Sequence, residues 1–196
     1  SWVTHDLGEW FEIGAWKCRF HRAGHIPGAV MIEIITPELT ILWSGDMDTR
    51  DSPNVLGATP VDCDILFLEG TYGNRIHPSR AKEEERFARR VQSIVNRGGT
   101  ALIPAFASGR GQDVLRILHR EAPNLEVHYD GMGTRVSLDW MEHLEFIHDP
   151  AELRKTWRWC RRVSSKSDRK KALDADVIVT TSGMLEGGPV IWYLNR

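Results

Sequence analysis

The first third of the chain alternates short apolar runs with turns, a pattern typical of β-strands. The runs "GAVMIEI" (28–34) and "LTILWSGD" (39–46) are joined by the turn "TPE", so they predict an antiparallel hairpin. A third run, "DCDILFLEG" (62–70), is almost continuously apolar, which predicts a strand that is buried on both faces. This part of the chain therefore predicts a sheet with at least three strands.

From Pro78 onward the apolar positions follow a helical period. Ser79 precedes a run with acidic residues early and glycines at its end, and its apolar positions share one face: Phe87, Val91, Ile94 and Val95. Three strands, "TALIPAF", "LEVHYD" and "ADVIVTTS", then alternate with helical segments. Such alternation predicts a parallel sheet covered by helices. We therefore predict two domains, residues 1–78 and residues 79–196.

The composition narrows the class of protein only slightly. A chain of 196 residues that is 41% hydrophobic can bury a core, and a net charge of −2 excludes neither nucleic acids nor small molecules as partners. No apolar run approaches the roughly 20 residues that a membrane span needs, so no membrane partner is expected. Three widely spaced cysteines predict buried thiols in a reducing cytoplasm.

Three polar residues in the first domain are candidates for metal chemistry. His25 lies in a loop, and Asp46 and Glu69 each follow a predicted strand. One imidazole and two carboxylates suit zinc or manganese. The alternatives are a polar loop histidine for His25 and a turn-capping aspartate for Asp46. Glu69 ends an apolar strand, where a carboxylate is costly unless it is paired or bound to metal.

Two strand ends in the second domain are candidates for binding an anion. The sequences "PAFASGRGQ" (104–112) and "VTTSGMLEGGP" (179–189) place small and hydroxyl residues where a strand ends. The first also opens a helix, so backbone N–H groups and the helix dipole would face a bound phosphate. The alternative is a tight strand-to-helix turn without a ligand. Neither stretch has a Walker or G-x-G-x-x-G spacing.

A basic stretch covers residues 154–171. It holds nine arginines and lysines against one acidic residue, Asp168, with Trp157 and Trp159 between them. Two interpretations remain open: a solvated helix face, or a patch that follows a phosphate backbone and offers tryptophan for base stacking.

Six stretches in order along the chain carry a family resemblance: "HRAGHIPGAV", "LWSGDMDTRDSP", "FLEGTYGNRIHPSR", "GGTALIPAFASGRGQDVL", "YDGMG" and "VIVTTSGMLEGGPV". The sequence resembles the β-CASP branch of the metallo-β-lactamase superfamily. Within it, the chain is most similar to archaeal and bacterial proteins related to ribonuclease J and to the endonuclease subunit of the cleavage and polyadenylation machinery. The resemblance implies an α/β fold: part of a metallo-β-lactamase αββα sandwich, then a β-CASP domain with a parallel sheet.

The resemblance also implies roles for individual residues. His25 matches a motif that ligates one metal, and Asp46 matches one that bridges two metals, which implies two zinc ions in the intact enzyme. Glu69 matches the acidic β-CASP motif that helps to hold the catalytic histidine, so Asp46 and Glu69 are the expected catalytic residues. Phosphate contacts are expected from the two strand ends of the second domain, at Ser108, Arg110, Ser182 and Gly183.

The function implied by the resemblance is metal-dependent hydrolysis of RNA phosphodiester bonds. The expected substrate is single-stranded RNA in the cytoplasm, and the expected assembly is a homodimer or an RNA-processing complex. Glu69 followed by "TYG" is more similar to the RNA-processing members than to the DNA-processing ones. Two alternatives stay open: a non-catalytic subunit that binds RNA or a partner, and a DNA exonuclease of the same superfamily.

The family's H-x-H-x-D-H motif, which supplies most metal ligands, has no match before His25. His5 and Asp6 lack its spacing, and the two late histidine motifs do not occur before Arg196. A zinc site needs about four ligands, at least three of them from protein. We therefore expect the chain to be a central fragment with an incomplete zinc site, and to be inactive by itself.

Overall fold

The computed structural model describes residues 2–196, which form two compact units. One unit extends to Ile76 and the other begins at His77. Each unit contains one sheet. Among residues 2–196, no helix combines the length and the apolar character that a membrane crossing requires.

The first unit is a sheet of five strands in the order β1-β2-β3-β4-β5. The strands are β1 (Trp10–Ile13), β2 (Trp16–Arg22), β3 (Val30–Ile35), β4 (Thr40–Trp43) and β5 (Ile65–Phe67). The first four pair antiparallel with their neighbours, which confirms the predicted hairpin of β3 and β4. β5 joins β4 in parallel. A small core of Ala23, Met31, Leu42 and Ala58 packs under this sheet.

The prediction that the third apolar run is buried on both faces is wrong for the described residues. Ile65, Leu66 and Phe67 expose 42%, 49% and 49% of their surfaces. Among residues 2–196, β5 is the last strand of the sheet and pairs on one side only. The Phe67 ring stacks on Trp43 of β4, at 5.1 Å between centroids, and Trp43 is itself exposed.

The second unit is a sheet of four strands in the order β6-β9-β7-β8, and every pair is parallel. The strands are β6 (Ala101–Pro104), β7 (Val127–Asp130), β8 (Arg161–Arg162) and β9 (Val177–Thr180). The helices are α1 (Arg80–Val95), α2 (Arg110–Glu121), α3 (Met132–Glu142), α4 (Pro150–Trp159), α5 (Lys166–Lys171) and α6 (Pro189–Leu194). A sheet followed by a parallel α/β sheet confirms the predicted fold class.

The core of the second unit lies between its sheet and its helices. All four residues of β7 and of β9 are buried, as expected for central parallel strands that are covered on both faces. Helix α1 packs its predicted apolar face onto this core. Ser79 precedes α1 as predicted, but its side chain makes no capping hydrogen bond; its carbonyl accepts from the Glu83 N–H at 3.1 Å instead.

Candidate functional site

A glycine holds the loop that carries His25 close to a neighbouring segment. Gly24 is buried with a φ of +76°, and a Cβ added there would lie 2.6 Å from the Ala58 nitrogen. Only glycine tolerates both this backbone conformation and this close approach. Gly24 also pairs antiparallel with Met47. The local fold therefore presents His25, which is exposed, beside the segment that carries Asp46.

Two aspartates follow β4, and the structure distinguishes them. The Asp48 carboxylate accepts two hydrogen bonds from the Arg50 guanidinium, at 3.0 and 2.8 Å. The Asp48 backbone also bonds with Ala23 and Ala58. Asp48 therefore fixes the loop, whereas Asp46 directs an exposed carboxylate toward solvent. Of the two aspartates, Asp46 is the one whose side chain is exposed.

Glu69 lies beside both segments and is held from several sides. Its N–H donates to the Ser44 hydroxyl at 3.0 Å, and its carboxylate accepts from the Thr71 N–H at 2.8 Å. The Thr71 backbone and side chain hold the pKa of Glu69 below its usual range, and the Met47 N–H and the charge of His25 lower it further. Glu69 is therefore ionised at neutral pH, close to Met47 and His25.

These contacts bring three sequence-predicted residues of the first unit into one neighbourhood: His25, Asp46 and Glu69. A catalytic zinc site takes at least three protein ligands. Among residues 2–196, no group of three or more histidine, cysteine, aspartate or glutamate side chains is arranged to hold a metal. His25 and Asp46 thus fit part of a metal site, which the described residues alone do not close. Their assignment as metal ligands remains a prediction.

The two predicted strand ends of the second unit adjoin, because β6 and β9 are neighbours in the sheet. The Ala105 N–H donates to the Thr180 carbonyl at 2.8 Å, which continues the pairing past both strands. A Cβ added at Gly183 would lie 3.0 Å from the Phe106 nitrogen and 3.3 Å from its ring atom Cδ2. The Ser182–Gly183 turn therefore rests against Phe106.

Arg110 begins helix α2, and its side chain is 60% exposed. Its guanidinium lies 3.5 Å from the Asp113 carboxylate, which is closer to Arg80, at 3.1 Å. Ser108 is half-buried just before the helix, and Gly109 has a φ of +88° at the turn. The geometry leaves Arg110 accessible to an anion in solution.

In the basic stretch of residues 154–171, the tryptophans pack against the core, whereas most of the basic side chains are exposed. Arg169 donates two hydrogen bonds to the buried Asp130 carboxylate, at 2.6 and 3.0 Å. Trp159 donates its indole N–H to the Pro123 carbonyl at 2.9 Å, and Arg162 lies over the Trp157 ring. Both tryptophans pack against the core. They are therefore structural, while the remaining eight basic residues are exposed.

Sequence reasoning missed two features of the second unit. Asp130, at the end of β7, also accepts a hydrogen bond from the Tyr193 hydroxyl at 2.9 Å, so it joins α5 and α6 to the sheet. The signal was an aspartate at the end of the predicted strand "LEVHYD", directly before a glycine. Phe106, in "PAFASGRGQ", is exposed at the end of β6. Its signal was an aromatic residue among the small residues of a strand end.

Comparison with known proteins gives relatives along the whole chain, although no family model matches it. A protein named "Probable RNase MJ4" from Methanocaldococcus jannaschii is 37% identical over 183 residues, which cover 88% of this chain and 43% of the relative. "RNase aCSPSF2" from Saccharolobus solfataricus is 34% identical over 100% of this chain and 41% of the relative. "Cleavage and polyadenylation specificity factor subunit 3" from Dictyostelium discoideum is 42% identical over 104 residues, 52% of this chain and 13% of the relative.

The chain spans less than half the length of these relatives. The similarity to the two archaeal proteins extends through both units, because it covers 88% of this chain in the first and 100% in the second. Such similarity confirms the resemblance that the sequence motifs indicated. The chain belongs to the β-CASP branch of the metallo-β-lactamase superfamily.

Proposed function

We propose that the intact protein is an RNA-processing ribonuclease that hydrolyses phosphodiester bonds in a metal-dependent reaction. One observation carries the proposal: proteins named as RNases are 37% and 34% identical over 88% and 100% of this chain. The ionised Glu69 beside the His25 and Asp46 segments supports it, since a family site for hydrolysis needs such groups.

The family depends on metal, and we propose that the metal is zinc. His25 would bind through its imidazole and Asp46 through its carboxylate, with further ligands from outside residues 2–196. A pair of such ions supplies Lewis-acid stabilisation of charge at the phosphodiester. Glu69 would orient a histidine through a hydrogen bond from the imidazole to its ionised carboxylate. The Asp46 carboxylate would supply negative charge to both ions.

We propose that the β6 and β9 strand ends bind the RNA backbone. The Arg110 guanidinium is exposed and would contact a phosphate, and the hydroxyls of Ser108 and Ser182 would donate further hydrogen bonds. Gly183 would offer its backbone N–H to a phosphate, while its bare Cα faces Phe106. The proposed substrate is single-stranded RNA in the cytoplasm. The proposed assembly is a homodimer or a processing complex; a relative that is named as a subunit of a specificity factor supports the complex.

The test is the variant Asp46→Asn in the intact protein. We expect RNA hydrolysis to fall at least about a thousandfold, or ~4 kcal/mol of transition-state stabilisation, because the amide cannot neutralise two cations. Bound zinc should fall in the same variant, measured by elemental analysis. The matched control is Asp62→Asn, which removes an exposed carboxylate of the same unit. The control should cleave RNA at the wild-type rate.

Three results would separate the alternatives. Asp46→Asn with wild-type RNA hydrolysis would contradict the metal assignment. A wild-type protein that cleaves DNA but not RNA would favour the DNA exonuclease. A wild-type protein that binds RNA and cleaves neither nucleic acid would favour the non-catalytic subunit.

A further inference from the structure

The second unit exposes an aromatic ring where its strands end. Phe106 is 53% exposed, and among residues 77–196, all of them described, no other phenylalanine, tyrosine or tryptophan side chain is classed as exposed. Two apolar side chains of the adjoining β9 turn are exposed as well: Met184 at 62% and Leu185 at 46%. We name these three residues the apolar rim. A cluster of exposed apolar groups indicates a binding surface more strongly than one isolated side chain does.

The backbone around Phe106 is held in place. Its carbonyl accepts a hydrogen bond from the Gly111 N–H at 3.2 Å, in the first turn of α2. Its nitrogen and ring edge face Gly183, where an added Cβ would lie 3.0 and 3.3 Å away. The Phe106 backbone thus lies between the first turn of α2 and the Gly183 turn, and one edge of the ring faces Gly183. Such support presents an aromatic face with little conformational freedom to lose on binding.

A cation lies next to the apolar rim. The Gly111 N–H that binds the Phe106 carbonyl belongs to the residue after Arg110, whose side chain is 60% exposed. A purely apolar protein segment would offer no anionic group to the Arg110 guanidinium. A nucleotide has both a planar apolar face and an anionic phosphate, so its chemistry matches the pair. Trp157 and Trp159 are less suited to stack on a base, because both pack against the core.

We propose that Phe106 stacks on an unpaired RNA base while Arg110 contacts the phosphate backbone next to that base. This inference rests on the proposed function and adds a reason for single-strand preference. A base within a duplex has both faces covered by its neighbours, so an aromatic side chain reaches it only when it is unstacked. Stacking tolerates every base, so the contact gives affinity without strong sequence preference.

The experiment measures RNA binding by the intact protein carrying Asp46→Asn, so that the RNA stays uncut. Phe106→Ala should weaken binding of a single-stranded oligonucleotide about tenfold, and Phe106→Tyr should retain it. The dependence of affinity on salt should not change in Phe106→Ala, whereas Arg110→Ala should reduce the salt slope by about one. Arg97→Ala is the matched charge control, because Arg97 is exposed before β6, at the opposite end of that strand.

A second measurement changes the RNA as well as Phe106. Oligonucleotides with one abasic position, moved along the strand, should each be tested with the same protein. One position should lose about tenfold in affinity with Phe106 present and lose little with Phe106→Ala. If no position is sensitive, or if Phe106→Ala binds as tightly as its parent, the stacking proposal is overturned. Wild-type RNA hydrolysis is recorded separately, so a failure of the proposed function is seen as absent cleavage whatever the binding result.

Discussion

At the scale of single residues, Glu33 is a buried carboxylate that Arg19 and His21 share. It lies on β3, 7% exposed, and accepts hydrogen bonds from Arg19 at 3.0 and 2.9 Å and from His21 at 2.7 Å. Burial raises the pKa of Glu33, but the hydrogen bonds from His21 and Arg19 outweigh it and hold the pKa below its usual range. His21 thus has a structural partner on β3, in contrast to exposed His25.

We predict that Glu33→Gln destabilises the first unit at neutral pH by about 2 kcal/mol, because an amide leaves Arg19 without its carboxylate. A carboxyl group with a lowered pKa adds stability above its unfolded pKa, and this stability is lost as the pH falls through the folded pKa. The difference in the free energy of unfolding between wild type and variant should therefore be largest near pH 7 and shrink as the pH falls through the folded pKa of Glu33. Hydrogen exchange of the β2 and β3 amides measures it.

The control for this prediction is Glu12→Gln, an exposed glutamate on neighbouring β1. It should leave the exchange rates of the β2 and β3 amides unchanged over the same pH range. A variant Glu33→Gln whose exchange matches wild type near pH 7 would show that the carboxylate does not stabilise the sheet.

At the scale of elements, the sequence predicted the helices and the β3–β4 hairpin correctly, but not the exposure of β5. The period of Phe87, Val91 and Ile94 identified the packed face of α1, since a helix places these residues on one side. The apolar run of β5 was read correctly as a strand, but burial depends on a second layer that local pattern does not specify. The contacts of Gly111 and Gly133 with Tyr129 could not be predicted from the sequence either, because they join residues of α2, α3 and β7 that are distant along the chain.

This junction surrounds the buried hydroxyl of Tyr129. The hydroxyl has no hydrogen-bond partner among residues 2–196. A Cβ added at Gly111 would lie 2.5 Å from the Tyr129 hydroxyl oxygen and 3.3 Å from Cζ. Helices α2 and α3 can approach β7 this closely because residues 111 and 133, which face Tyr129, are glycines.

We predict that Gly111→Ala destabilises the protein by about 2 kcal/mol through overpacking, and that Tyr129→Phe restores most of the loss. Removing the hydroxyl relieves the contact at 2.5 Å and leaves neighbours no nearer than 3.2 Å. Tyr129→Phe alone should be close to neutral, because it removes a buried polar group without a partner. Thermal unfolding of the four proteins measures the coupling.

The matched comparison is Gly133→Ala. There an added Cβ would also meet Cζ of Tyr129 at 2.6 Å, so Tyr129→Phe should rescue it only weakly. Equal rescue of both alanine variants would contradict the geometric explanation.

At the scale of the whole molecule, the sequence could indicate which residues to examine but not how the metal site is completed. Asp46 and Asp48 look alike in "SGDMD", and only the Arg50 contacts separate a loop-fixing carboxylate from an exposed one. Arg110 was predicted as an accessible cation and is 60% exposed, whereas the apolar rim needed coordinates to be recognised. Spacing along the chain cannot show which neighbouring turn a side chain meets.

We predict that residues 1–196 expressed alone bind less than one zinc ion tightly, because His25 and Asp46 provide fewer than the three protein ligands that a site requires. The intact protein should bind about two zinc ions. Elemental analysis after dialysis measures both, with circular dichroism as the check that the shorter chain is folded. Two tightly bound zinc ions in the folded shorter chain would contradict the prediction.

The exposed side of β5 has a consequence for residues 1–196 expressed alone. A strand with unpaired backbone groups and exposed isoleucine, leucine and phenylalanine is a template on which another chain can pair. We therefore expect this shorter chain to self-associate as its concentration rises, which light scattering of the purified chain would measure.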